Sequence, residues 1–163
     1  MSAFLHVTLW AAALAFLGGA HAAELTPSEI VNELYRLELG PKGDMATPPV
    51  YSFTDAPIQR RLTRGFQRLV AKMVADETKT NQAILDWDPI ADGNGAVPLG
   101  VKVDAPPATG GKAEIVARFH IAGGERKAVT YRFVREDGVW KIDDILVKSE
   151  DIRIDIQRGL DAK

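Results

Sequence analysis

The stretch YRFVREDGVWKIDDI, Tyr131 to Ile145, reads as two strands joined by a tight turn. Asp137-Gly138 is a strong two-residue hairpin signal, because both central residues of such a turn take positive φ, which glycine accepts freely and aspartate tolerates. With that pair as the loop, Glu136 lies opposite Val139, Phe133 opposite Ile142, and Val129 opposite Leu146, so apolar meets apolar. The same arithmetic sets Asp144 on the inner face opposite Tyr131 and Asp143 on the outer face opposite Arg132.

Working outward, the period of two extends over KAEIVARFHIA, KAVTYRFVRED and VWKIDDILVK, and it begins near Val97. Between the first two of these segments, a two-residue Gly123-Gly124 loop would mix the faces. A three-residue loop through Glu125 pairs Phe119 with Val129, Ala117 with Tyr131 and Ile115 with Phe133. One face then carries Ile115, Phe119, Val129, Phe133, Ile142 and Leu146, and something must cover it.

The first half of the chain supplies the cover, since its apolar residues recur at three and four. Thr26, Pro27 and Glu29 open a helix with a capping box, its stripe is Ile30, Val31, Leu34 and Leu37, and Gly40-Pro41 ends it. Asp55 is the expected cap of a second helix with Ile58, Leu62, Phe66, Leu69, Val70 and Met73 on one face. Gly65 marks a place where that helix could break. Its other face carries Arg60, Arg64, Arg68 and Lys72, read as a solvated face in preference to a docking stripe for an anionic partner. In the C-terminal SEDIRIDIQRGLDAK, a short helix capped by Ser149, with Ile152 and Ile156 on one side, is preferred to a strand. The fold class is α+β, with N-terminal helices packed on an antiparallel sheet.

The apolar run from Phe4 to Leu17, followed by Gly18-Gly19 and Ala20-His21-Ala22, reads as a secretory signal peptide over residues 1–22, cleaved just before Ala23. Residues 23–163 are then one α+β domain, exported most simply to a bacterial periplasm, with no stable membrane insertion once the signal is gone. There is no cysteine, which removes disulfides, thiol chemistry and lipidation at cysteine. A formal net charge of −2 argues against a nucleic-acid binder, which needs a surplus of clustered Lys and Arg to neutralise phosphates.

LDWDPIADGNGAV, Leu85 to Val97, raises the question of a metal loop. A calcium loop of the EF-hand type needs acidic ligands at positions one, three and five and glycine at six. Counted from Asp86, the fifth residue is Ile90 and the sixth Ala91, so the stretch reads as a run of turns at the helix-to-sheet junction. His6 and His21 fall in the signal, which leaves His120, on the outer face, without partners for a histidine metal centre. No metal or cofactor is expected.

The helical first half, the long antiparallel meander and the run YRFVREDGVWKIDDI together resemble the nuclear-transport-factor-2-like superfamily, the cone-shaped, cystatin-like α+β roll. LDWDPIADGN with GVWKIDDI resembles, more narrowly, an exported bacterial domain-of-unknown-function family, number 3828. The resemblance implies a curved sheet and a deep pocket between it and the helices, for which Trp87, Phe119, Tyr131, Phe133, Trp140 and Asp144 are the candidate lining. It implies no reaction, because this fold carries both enzymes and pure binding modules.

Asp144 with Tyr131 is the candidate catalytic pair: a carboxyl desolvated on a covered sheet face has a raised pKa and becomes a base or donor near neutrality. The competing reading is a buried aspartate satisfied by its neighbours, and it is the preferred one. The expected function is therefore a non-catalytic module that binds a small apolar or amphipathic ligand or a periplasmic protein. The alternatives are a pocket isomerase or lyase using Asp144 and Tyr131, and an inhibitor or immunity-type interaction protein. A homodimer formed through the sheet is a further expected partner.

Overall fold

The computed structural model describes residues 24–162, so the proposed signal segment and its cleavage point lie outside the described residues. Within them, helix α1 (Pro27–Leu39), the short helix α2 (Ala56–Gln59) and helix α3 (Arg64–Thr80) precede strands β1 (Leu99–Asp104), β2 (Lys112–His120), β3 (Arg126–Glu136), β4 (Val139–Val147) and β5 (Glu150–Asp151). Helix α4 (Ile152–Asp161) closes the chain. The strands form one antiparallel meander in the order β1-β2-β3-β4-β5, open at both edges, and the helices pack on it: an α+β fold.

Local chemistry accounts for the start of α1. The Thr26 side chain accepts from the Glu29 amide while the Glu29 carboxylate accepts from the Thr26 amide, so two N–H groups that the first turn leaves without partners are satisfied. Its buried stripe is Ile30, Val31, Leu34, Tyr35 and Glu38, whereas Leu37 is only partly covered.

The second expected helix is two. The chain leaves helical geometry at Arg60–Thr63, because the Thr63 amide donates to the Ile142 carbonyl (2.8 Å) and the Ile142 amide to the Arg61 carbonyl (2.9 Å). Those bonds to the edge of β4 replace two helical ones, and Thr63 then caps α3 by accepting from the Phe66 amide. The break therefore precedes Gly65. It also divides the basic stripe: Arg60 ends α2, and Arg64 turns to Asp137 (2.6 Å) and Glu136.

The Asp137-Gly138 turn forms as expected, with φ of 53° and 81°, and Glu136 lies opposite Val139 and Phe133 opposite Ile142. Beyond that point the register departs from strict alternation. A β-bulge at Asp143 puts Asp144 opposite Arg132, Ile145 opposite Tyr131 and Val147 opposite Val129. The extra residue turns Ile145 and Val147 into the core, both at most 2% exposed, and moves Asp144 and Leu146 to the other face. Strict alternation would have placed a carboxylate inside and left Ile145 outside, a choice disfavoured by the several kcal/mol that an unpaired buried charge costs.

The β2–β3 loop has three residues but closes one residue earlier than expected, at Ala122–Gly124, with the Ile121 amide donating to the Glu125 carbonyl. Phe119 therefore faces Lys127, Ala117 faces Val129 and Ile115 faces Tyr131. The pairing moves by two residues, so each side chain keeps its face. Both Gly123 and Gly124 take positive φ within that loop. Helix α4 forms with Ile152 and Ile156 fully buried, but its cap is Asp151, whose side chain accepts from the Ile154 amide, and not Ser149.

Candidate ligand-binding site

The inner sheet face is filled by side chains. Phe119, Tyr131 and Phe133 are each at most 4% exposed, and Tyr35 from α1 packs against Phe119 (ring centroids 5.6 Å apart) and edge-on against Tyr131 (6.4 Å). The Tyr131 hydroxyl donates to the Tyr35 oxygen (3.1 Å), and the Tyr35 hydroxyl donates to the Ile90 carbonyl (3.0 Å). Burial pushes both phenols above their ordinary pKa. These aromatics hold the sheet to α1 and to the junction loop, so the expected lining residues act here as core.

Asp144 and Tyr131 do not meet. The bulge puts them on opposite faces, and Asp144 is instead covered by β5 and the start of α4. Its Oδ1 accepts from the Ile145 amide (2.8 Å) and more distantly from the Arg153 amide (3.4 Å). Burial, then the hydrogen bond and the charge of Asp151, push the Asp144 carboxyl up to about 7. Burial also pushes Asp151 upward, but the hydrogen bond from Asp144, the α4 amides and the nearby Arg132 outweigh it and hold that carboxyl below its ordinary value. The proton of the pair sits on Asp144. Trp140 lies at the rim beneath the Arg135 guanidinium, 4.6 Å from the ring centre, and its amide donates to Glu24. The six candidates are thus spread over the core, the rim and the far face.

The junction loop is built from turns. Asp88 Oδ1 accepts from the Ile90 amide (2.8 Å), its Oδ2 accepts from the Phe53 amide (3.2 Å), and Asp88 and Gly93 exchange backbone bonds. Asp92, at positive φ, pairs with Lys127 (3.3 Å) and Lys148 (3.6 Å). Trp87 lines a cleft of about 280 Å3 beside Phe53, Met73 and Asp88.

A larger cleft, about 460 Å3, opens where the β2 start and the β3 end meet the loop after β1. Pro106, Pro107, Ala113, Phe133 and Val134 supply its apolar lining, and Lys112, Glu114, Arg132 and Asp143 the polar groups. Arg132 is half exposed and stands among three carboxylates, Glu114 at 3.5 Å, Asp151 at 3.7 Å and Asp144 at 3.9 Å, all looser than a charge-assisted hydrogen bond. Its fork is therefore available to an incoming group. Asp143, in contrast, is engaged by Thr63 Oγ1 (3.1 Å) and Arg153 Nη1 (2.7 Å).

Sequence reasoning named Phe133 but missed the rest of this cleft. The Pro106-Pro107 pair carries no period, and the loop that folds them over the strands is set by tertiary contacts. It also missed Glu38, which is 1% exposed with no hydrogen-bond partner on either carboxylate oxygen among the described residues. Burial, with the Asp88 charge adding to it, pushes that carboxyl up to about 9. The spacing Val31, Leu34, Tyr35, Glu38 is the only signal that could have found it.

No family model matches the chain, and no curated protein does. Among solved structures, a phospholipid-binding protein from Ralstonia solanacearum, in complex with a phospholipid, is similar at 16% identity and a TM-score of 0.32. The alignment covers 81% of this chain and 62% of that one, so the chain spans less than two thirds of that protein's length. A likeness of this degree carries no information about ligand.

Proposed function

We propose that the protein is an exported, non-catalytic binding module that holds a small amphipathic ligand in the cleft between the Pro106-Pro107 loop and strands β2 and β3. The observation that carries this reading is the cleft's size and lining: about 460 Å3, apolar walls and a loosely held arginine. Small-molecule sites have that range of volume and that mixture, a mostly apolar surface with few polar groups that fix orientation. The apolar tail of the ligand lies against Val134 and the prolines, and its polar end meets the Arg132 fork.

Binding is favoured over catalysis by the placement of the titratable groups. Glu38, Tyr35 and Tyr131 are sealed in the core, and Asp144 faces Asp151 and the α4 amides, so none of the groups with strongly raised pKa is presented to a substrate in this cleft. Export rests on the apolar run Phe4 to Leu17. The helical first half and five-stranded meander support kinship with the nuclear-transport-factor-2-like superfamily, which belongs to the same proposal.

The test is a titration with dodecanoate as an amphipathic probe, followed by calorimetry. Saturable binding that is lost in Val134→Arg, which fills the cleft, and weakened about tenfold in Arg132→Ala, which removes about 1.4 kcal/mol of binding energy, is the expected result. Binding unchanged in both variants would refute the assignment of this cleft.

A further inference from the structure

The outer face of the sheet carries a second feature, at the opposite end of β2 and about 20 Å along the strand from the cleft above. There, Lys102, Arg118, His120 and Arg126 line a depression of about 450 Å3 that has no acidic residue in its wall. All four side chains are on exposed residues, and the strand register stacks them in two rows: Lys102 directly opposite Arg118, and His120 directly opposite Arg126.

Like charges facing each other across a strand pair are destabilising, by about as much as opposite charges stabilise. Lys102 and Arg118 form one such row, and Arg126 adds a third cation beside it, in a protein whose formal net charge is −2. Among the described residues, only Arg118 of the four has a counter-ion, Asp104, at 2.8 Å. Among the described residues Lys102 and Arg126 form no ion pair, so positive charge is left unbalanced at this end of the sheet. The nearby Glu125 is taken up by Lys127 at 2.8 Å.

The backbone is shaped to the same spot. The β1–β2 register slips between Leu99 and Lys102, and Gly100 takes φ of 62°. Positive φ favours glycine here, and a Cβ on Gly100 would lie 3.1 Å from His120 Cε1, close enough that the imidazole would have to shift. The irregularity ends at Lys102, which pairs with Arg118 across the strands and lines the depression. Gly124, from the β2–β3 loop, completes the rim.

We propose that Lys102, Arg118, His120 and Arg126 form an anion-binding site for a phosphate group. Phosphate suits it because the tetrahedral oxyanion accepts from several donors at once, and the guanidinium forks of Arg118 and Arg126 match its edges while Lys102 acts as a point charge. The patch is too short to follow a nucleic-acid backbone, and it holds the charge of one or two phosphates. The phosphate is either free in solution or the head of a lipid, and the chemistry of the site is the same for both.

Two probes test the site on the whole chain: inorganic phosphate, followed by amide NMR, and sedimentation with vesicles of phosphatidylglycerol against vesicles of phosphatidylcholine. The expected result with phosphate is saturable shifts confined to Gly100, Lys102, Arg118, His120, Gly124 and Arg126, at least tenfold weaker in the Lys102→Gln/Arg126→Gln double variant. Asp104→Asn, which releases Arg118 from its counter-ion, should bind severalfold more tightly. Preferential pull-down by phosphatidylglycerol, lost in the double variant, supports the site with a lipid headgroup as its ligand. Phosphate shifts without vesicle binding support it with a soluble ligand. Absence of localised shifts with phosphate together with no vesicle preference, or responses identical in wild type and double variant, would overturn the proposal.

Discussion

Glu38→Gln separates a sealed carboxyl from one that reaches water. Glu38 is on the buried stripe of α1, 1% exposed, without a hydrogen-bond partner among the described residues and with the Asp88 charge nearby, and its carboxyl is pushed up to about 9 from an ordinary 4.5. The folded protein therefore keeps this proton through neutral pH while the unfolded chain releases it. Stability from this group is fully present below about pH 4.5 and is lost as pH rises through about 9, at about 1.4 kcal/mol per pH unit. Between about pH 5.5 and about 7.5 the loss is about 2.7 kcal/mol. Glutamine is neutral throughout, so the stability of Glu38→Gln relative to wild type should rise by about that amount across the window. Other titrating groups cancel in the difference. Urea unfolding followed by the fluorescence of Trp87 and Trp140, at three pH values, measures it. A difference that stays flat with pH would mean that Glu38 is solvated or finds a partner, and the packing described for the α1 stripe would be refuted.

Asp144 has the same sign: its carboxyl is raised to about 7, so wild type should lose stability as pH rises from about 4 through about 7, and Asp144→Asn should lose less over that range. Parallel urea curves for the two proteins would disprove the proton assignment within the Asp144–Asp151 pair. Thr63→Ala removes the α3 cap and a hydroxyl bond to Asp143, so a loss of about 1–2 kcal/mol is expected by denaturant unfolding. A loss below about 0.3 kcal/mol would show that the cap does not matter. Gly159→Ala ought to gain about 1 kcal/mol from helix propensity alone. Its Cβ would instead lie 2.5 Å from Ile84 Cγ2, on a stiff β-branched side chain, so we expect a net fall in Tm, and a rise would contradict the α4 packing.

The parts of this fold that could be read from the sequence are those whose determinants lie within a few residues of one another. The capping box at Thr26 and Glu29, the tight turn at Asp137-Gly138, the turns around Asp88 and the switch from a helical to a two-residue period all belong to that class, and each is found in place. They settle the α+β class and most of the core, because side-chain periodicity reports which face is covered. The break between α2 and α3 was not legible, because it depends on backbone bonds from Arg61 and Thr63 to Ile142, about 80 residues away.

The Asp143 bulge was hidden for the same reason. Nothing in VWKIDDILVK distinguishes a strict alternation from one with an extra residue; the choice is made by Ile145 and Val147 seeking the core and by Thr63 and Arg153 holding Asp143. That one residue separates Asp144 from Tyr131 and replaces a candidate acid–base pair with a carboxyl pair under α4. The candidate site shows the same division. Phe133 could be assigned to the sheet by its period, whereas the cleft it helps to line, the cluster of cations at the other end of β2, and the burial of Glu38 follow from which strands and loops lie side by side. Periodicity is a property of the local chain, but register and enclosure are decided by long-range hydrogen bonds and packing, which only the tertiary structure contains.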